Sequence, residues 1–312
     1  MPEGSNSMPR RGPFRRLWAA LTTARGFRRL AAVNMVLLWF ILPSGAFVRL
    51  TGSGLGCTKW PLCTDGRIIP ASNHHAWIEY SNRIASAIII LIAIVAAIAA
   101  FKAVGSIRAT KIGAVVAAVG SVGQIPLGAI TVIFDLHPLL VASHFVLSLI
   151  ALSGGVVAFL GADDVVHRIK RAWSRRPTLL AVLWSAALST AIVTGVLVTS
   201  AGPHSGDPKV IKRFGMLDDA AYVHVRAVFA LLLVAILVGW LMRGRTDDRG
   251  LIVPALWFIP AFVAQVILGE VQWYTQLPWA TVWMHVAVAG IVWTLGTVIA
   301  WRLARPIVRH DP

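Results

Sequence analysis

The sequence predicts an all-α protein that crosses a lipid bilayer several times. Hydrophobic residues make up 57% of its 312 residues and charged residues only 13%, whereas a soluble domain usually carries about 25% charged residues. Eight apolar runs are long enough for a transmembrane helix, which needs about 20 residues. This composition excludes a disordered chain, a nucleic-acid-binding domain and an ordinary cytosolic enzyme.

The eight predicted spans follow one another along the chain. They cover residues 31–50, 77–101, 110–134, 138–161, 177–200, 220–242, 251–273 and 279–303. An Arg-rich segment precedes the first run, which lacks a small-residue cleavage site, so we expect a retained helix rather than a signal peptide. We expect residues 1–28 to form a basic and mostly disordered cytoplasmic tail.

The basic residues indicate how the spans are oriented. Most of the 29 Lys and Arg residues lie in the N-terminal segment, in the second, fourth and sixth loops, and at the C-terminus. The positive-inside rule then places both termini in the cytoplasm of a multi-pass cell-membrane protein. The net charge of +16 therefore reflects membrane orientation and does not indicate a nucleic-acid partner.

An internal repeat divides the spans into two halves. Residues 122–150 align without gaps with residues 263–291, which places His144 on His285. Because each half has an even number of spans, we expect two tandem four-helix bundles related by a pseudo-two-fold axis along the membrane normal. The predicted parts are a basic tail at 1–30, an N-terminal bundle at 31–161, a cytoplasmic linker at 162–176, a C-terminal bundle at 177–303 and a cytoplasmic tail at 304–312.

Three histidines lie inside predicted spans. His144, His224 and His285 fall near the outer ends of the fourth, sixth and eighth spans. A single membrane histidine often makes only a hydrogen bond between helices. However, His224 and His285 lie at similar depth in one bundle, which favours two imidazoles binding one haem iron in the bundle core. Zinc would need further protein ligands.

The start of the second span carries a polar helix face. His75, Glu79 and Asn82 are spaced i, i+4 and i+7, so they share this face. An ionised carboxylate inside a span is costly unless it is paired, and Arg83 is the local partner. Glu79 either only stabilises the helix end, or it accepts protons or stabilises a cation beside a bound cofactor.

Both cysteines lie in the glycine-rich loop after the first span. Cys57 and Cys63 are close enough for a disulfide, and the expected position of this loop outside the cell allows one to persist. Their spacing is not the Cys-x-x-Cys of thioredoxin-like enzymes. The bridge is either a structural staple or a redox-active pair.

These motifs resemble those of the haem A synthase family. The resemblance is carried by Thr51-Gly52-Ser53-Gly54-Leu55-Gly56-Cys57, by Trp60-Pro61-Leu62-Cys63, by Glu79-Tyr80-Ser81-Asn82-Arg83 and by the three histidines within spans. It implies an oxidoreductase that oxidises the C8 methyl group of haem O to a formyl group. The product, haem A, would serve cytochrome c oxidase.

The resemblance also implies roles for individual residues. His224 and His285 would bind a haem b cofactor, and His144 would be an axial ligand of the substrate haem O. Glu79 matches the family's essential carboxylate, and the two cysteines match its outer-loop pair. The haem sites would lie towards the outer face of the membrane.

The chain departs from the family pattern at Asn82, where many members have histidine. The second axial ligand of the substrate haem is therefore His75, Asn82 or no protein group. A second departure is that Val225 separates His224 from Arg226, where the family pattern has His followed directly by Arg.

The expected partners follow from the same resemblance. They are haem O synthase, the cytochrome c oxidase assembly machinery, an unidentified electron partner and the lipid bilayer, and a homo-oligomer is compatible with the sequence. The main alternative function is a membrane cytochrome b that passes electrons between a quinol and an outer-side acceptor. That alternative explains the histidines but not the glycine–cysteine loop together with Glu79.

Overall fold

The computed structural model describes residues 12–63, 67–70, 73–210, 213–244 and 248–308. Within these ranges the chain forms nine α-helices. They are α1 (Pro13–Leu21), α2 (Ala24–Leu50), α3 (His74–Lys102), α4 (Arg108–Ile133), α5 (Pro138–Val166), α6 (Arg175–Ala201), α7 (Leu217–Met242), α8 (Arg249–Tyr274) and α9 (Trp279–Ala304). The helices α2 to α9 are the eight that are long and apolar enough to cross a membrane. The predicted all-α fold with eight spans is confirmed.

The expectation of a disordered tail is wrong for the described residues before the first predicted span. These residues form α1 and the first two turns of α2. The Thr23 side chain caps α2 by accepting a hydrogen bond of 3.0 Å from the Gly26 backbone N–H. Phe27 is buried among alanines of α3, α4 and α5, which anchors this end of α2. Residues 1–11 lie outside the described ranges.

The spans pack as two groups of four helices. In the first group, α2 and α4 each pack against α3 and α5. In the second group, α6 packs against α7 and α9, and α8 packs against α9. Contacts of α9 with α2 and α5, and of α5 with α6, join the groups. The pseudo-two-fold axis along the membrane normal stays a prediction.

Small residues bring α4 and α5 close together. A Cβ placed on Gly154 would lie 2.6 Å from the Gly113 carbonyl oxygen and 2.6 Å from the Ala117 backbone nitrogen. Only glycine permits this approach of the two backbones, as is common between transmembrane helices, whose packing depends on close contact.

Buried ion pairs join the helices at the end opposite the cysteine loop. The helix α5 continues past the predicted limit at residue 161, and Asp164 near its end accepts a hydrogen bond of 2.5 Å from Arg302 of α9. Arg171 donates two hydrogen bonds, of 2.7 and 2.8 Å, to the carboxylate of Asp248. Burial alone would lower the pKa of Arg171, but the hydrogen bonds and charges of Asp248 and Asp164 outweigh burial and raise it.

Candidate functional site

A cavity lies between the two groups of helices, towards the end that carries the cysteine loop. Helices α2 to α9 all contribute to its wall. Most of the wall is aliphatic. The polar side chains in it include Arg49, Asn82, Ser86, Ser121, Gln124, His144, Ser148, Thr199, His204, His224, Gln265, Gln272 and His285. All three histidines that were singled out within predicted spans thus face one cavity.

The three histidines lie at matching depths. Each is about two turns inside its helix, counted from the start of α5, α7 or α9. Each imidazole also lies against a glycine of the neighbouring helix. The pairs are His144 with Gly128 of α4, His224 with Gly195 of α6, and His285 with Gly269 of α8. A Cβ on Gly195 would lie only 3.0 Å from the His224 ring, so the glycines leave room for the rings between helices.

Two of these rings have an unsatisfied nitrogen. The Nδ1 atoms of His144 and His285 are buried and have no hydrogen-bond partner among the described residues, whereas His224 Nδ1 lies 3.1 Å from the Thr194 hydroxyl. A buried polar atom without a partner costs about 1–3 kcal/mol. Because these two Nδ1 atoms are buried, Nε2 is the nitrogen that each ring can offer to a ligand in the cavity.

The donor set fits haem iron better than a bare metal ion. No group of three or more His, Cys, Asp or Glu residues that could hold a metal occurs within the described ranges. Structural zinc sites usually take four protein ligands. Haem iron needs only one or two axial ligands from the protein, and imidazole is a common one.

The structure separates the candidate residues at the start of α3. Asn82 lines the cavity, and its side-chain oxygen accepts a hydrogen bond of 2.8 Å from the Ser44 hydroxyl. The described wall of the cavity includes neither His75 nor Glu79. His75 Nδ1 instead lies 2.8 Å from the Ser53 hydroxyl. Asn82 is therefore the candidate on this helix face that the fold brings to the same cavity as His144.

Glu79 joins α3 to the cysteine loop. Its carboxylate is buried and accepts one hydrogen bond from Arg83, at 2.5 Å, and another from the Cys57 backbone N–H, at 2.7 Å. Arg83 also donates to the carbonyl oxygens of Cys57 and Leu62. The predicted pairing of Glu79 with Arg83 is confirmed, and both side chains determine the path of the loop.

The cysteines form the disulfide that their positions made feasible. Cys57 and Cys63 are bonded to each other and are both fully buried. The loop runs so close to α3 that a Cβ on Gly56 would lie 2.5 Å from the His75 carbonyl oxygen. The bridge, this glycine and the Glu79 hydrogen bond together hold the loop against the start of α3.

Sequence reasoning missed Arg49 of α2 as a cavity residue. It donates hydrogen bonds of 2.8 Å to the His204 carbonyl and 2.6 Å to the Thr199 carbonyl, so it connects the first group of helices to the second. A basic residue at the end of an apolar run is usually a membrane-surface anchor, so its position in the sequence gave no indication of this contact.

The fold and this cavity define a polytopic helical membrane protein with a histidine-lined site for a cofactor. A family model described as cytochrome oxidase assembly protein matches residues 28–297. The chain therefore belongs to the cytochrome oxidase assembly protein family.

Individual relatives carry a more specific name. The heme A synthase of Bacillus pumilus is 34% identical over 126 residues, which are 40% of this chain and 41% of that protein. The heme A synthase of Bacillus licheniformis is 38% identical over 128 residues, which are 41% of this chain and 42% of that protein. The matched segments thus span less than half the length of these relatives.

Removal of the disulfide tests whether it holds the loop in place. We expect the Cys57→Ser/Cys63→Ser variant to lose about 2 kcal/mol of stability because its unfolded state is no longer cross-linked. The measurement is thermal unfolding in detergent with and without a reductant. The reductant should destabilise the wild type but not the double variant. Equal unfolding temperatures of all four samples would show that the bridge adds no stability.

Proposed function

We propose that this protein is a haem A synthase that oxidises the C8 methyl group of haem O to a formyl group. The observation that carries the proposal is that His144, His224 and His285 of three different helices all line one cavity. Family membership and the names of the relatives support it. The cytochrome b alternative accounts for the histidines but not for the match to this family.

The two groups of helices would divide the haems between them. His224 of α7 and His285 of α9 belong to the second group and would bind haem b. His144 of α5 belongs to the first group and would be the axial ligand of the substrate haem O. When bound, haem b would supply a redox centre for the removal of electrons from the substrate.

Asn82 is the better candidate than His75 for the other side of the substrate haem. It lines the cavity, whereas the His75 ring contacts Ser53 outside the described wall. A carboxamide whose oxygen already accepts a hydrogen bond from Ser44 is a poor axial ligand. We infer that this side of the substrate site is bordered by Asn82 and stays accessible to a small ligand.

Glu79 would take up protons during the reaction. If water supplies the oxygen atom, conversion of a methyl group to a formyl group releases protons together with electrons, and the electrons would pass to the electron partner. Glu79 lies about one helical turn before Asn82 on α3, and its two hydrogen bonds fix its orientation. Arg83 donates a hydrogen bond to the carboxylate and supplies a counter-charge to its ionised form, which is the form that would accept a proton. The disulfide loop would act on the reaction by holding Glu79 through the Cys57 N–H.

The expected orientation follows from the two ends of the bundle. The buried Arg171–Asp248 pair and most of the basic loops lie at one end, and the cavity and the cysteine loop lie towards the other. The positive-inside rule places the basic end and both termini in the cytoplasm. The haem sites would then face the outer side, and haem O synthase, the oxidase assembly machinery and an electron partner would be the functional partners.

Pigment extraction tests the proposed activity directly. Protein purified from cells that also express a source of haem O should carry haem B, haem O and haem A, which chromatography of the extracted pigments resolves. Without the haem O source, only haem B should remain. Haem B alone under both conditions would favour the cytochrome b alternative and contradict the proposal.

Replacement of Glu79 tests its role in proton transfer. We expect Glu79→Gln to keep its bound haem but to lower the haem A yield roughly 100-fold or more, as is typical when a general base is lost. The matched control is Glu270→Gln, because Glu270 is an exposed carboxylate on α8 that is not part of the cavity wall. A normal haem A yield in Glu79→Gln would rule out this role.

A further inference from the structure

The cavity wall contains one formally charged side chain. Among the described residues that line the cavity, Arg49 is the only Lys or Arg, and none is Asp or Glu. The other polar groups of the wall are hydroxyls, amides and imidazoles. Arg49 therefore gives the cavity a net positive charge.

The partners of Arg49 do not neutralise this charge. Its guanidinium donates hydrogen bonds to two uncharged backbone carbonyls, those of Thr199 and His204. None of the ion pairs found in the described part of the chain includes Arg49. A guanidinium has five N–H donors, so donors remain for a ligand.

An uncompensated cation inside a membrane protein is costly. Intramembrane ionisable groups are usually paired or face a functional cavity, and a buried charge without a counter-charge destabilises the fold. Arg49 contrasts with Arg171 and Arg302, which are buried at the other end of the bundle and are each paired with aspartate. The missing counter-charge therefore indicates an anionic ligand.

Arg49 also occupies a suitable position for the acidic edge of a porphyrin. It lies in the last turn of α2, at the cysteine-loop end, whereas the histidines lie about two turns inside their helices. The two carboxylates of a haem are propionates at one edge of the ring, away from the iron. Carboxylate and guanidinium groups form strong, often bidentate hydrogen bonds.

We propose that Arg49 binds a propionate of a haem held in this cavity and thereby selects free-acid haem over its uncharged esters. This inference rests on the proposed haem-binding function. Because Arg49 also bonds to the end of α6 and to the loop that follows it, the propionate contact joins the bound haem to both groups of helices.

A comparison of haemin with haemin dimethyl ester tests the assignment. The purified full chain, produced without haem supply, is titrated with each compound in detergent, and the Soret absorbance gives the two affinities. We expect the wild type to bind haemin at least roughly tenfold more tightly than the ester, as for a hydrogen bond to a charged group. Arg49→Met should bind both compounds equally, and Arg49→Lys should keep most of the preference.

The ratio of the two affinities within each variant separates recognition from folding, because any loss of folded protein affects both titrations alike. Arg226→Met is the matched control, since Arg226 is exposed on α7 and is not part of the cavity wall, and it should keep the wild-type ratio. Equal affinities in the wild type, or an unchanged ratio in Arg49→Met, would overturn the role of Arg49 while leaving haem binding intact. Absence of Soret absorbance with either compound would instead overturn the proposed function.

Discussion

The structure depends on one constraint, that a polar group inside an apolar bundle must find a partner. The Nδ1 atoms of His144 and His285 are buried without a partner among the described residues, so Nε2 is the nitrogen of each ring that a ligand in the cavity can engage. Haem iron would provide that partner, because it takes imidazole ligands and its porphyrin would fill an apolar cavity.

The two groups of helices contribute different polar side chains to the cavity wall. In the second group, His224 and His285 both face the cavity, which suits a tightly held cofactor. In the first group, His144 faces the cavity together with Asn82, so the proposed substrate haem would have one imidazole ligand there. The disulfide loop and Glu79 also belong to the first group. This asymmetry between the halves of the repeat agrees with the proposed haem b site in the second group and the proposed substrate site in the first.

Much of this arrangement could be predicted from the sequence, because it follows from local patterns. Hydropathy predicted the positions of the eight spans, and the i, i+4 spacing in a helix predicted the pairing of Glu79 with Arg83. Sequence patterns did not predict the helical residues between Pro13 and the first predicted span, because Phe27 is anchored by contacts with distant helices. The sequence did not predict that Asn82 lines the cavity while His75 does not. The His75 ring contacts Ser53 of the loop after α2, and no local sequence pattern predicts the path of that loop. The cavity position of Arg49 depends in the same way on contacts between distant segments.

Electron paramagnetic resonance of the purified protein tests the central claim most directly. Two imidazoles on one iron give a low-spin signal, so we expect the wild type to show it and both His224→Ala and His285→Ala to lose it. His204→Ala is the matched control, because His204 lines the same cavity but its Nε2 lies 2.8 Å from the Leu277 carbonyl oxygen. That variant should keep the signal. A low-spin signal that survives in both His224→Ala and His285→Ala would contradict the assignment of these histidines to haem iron.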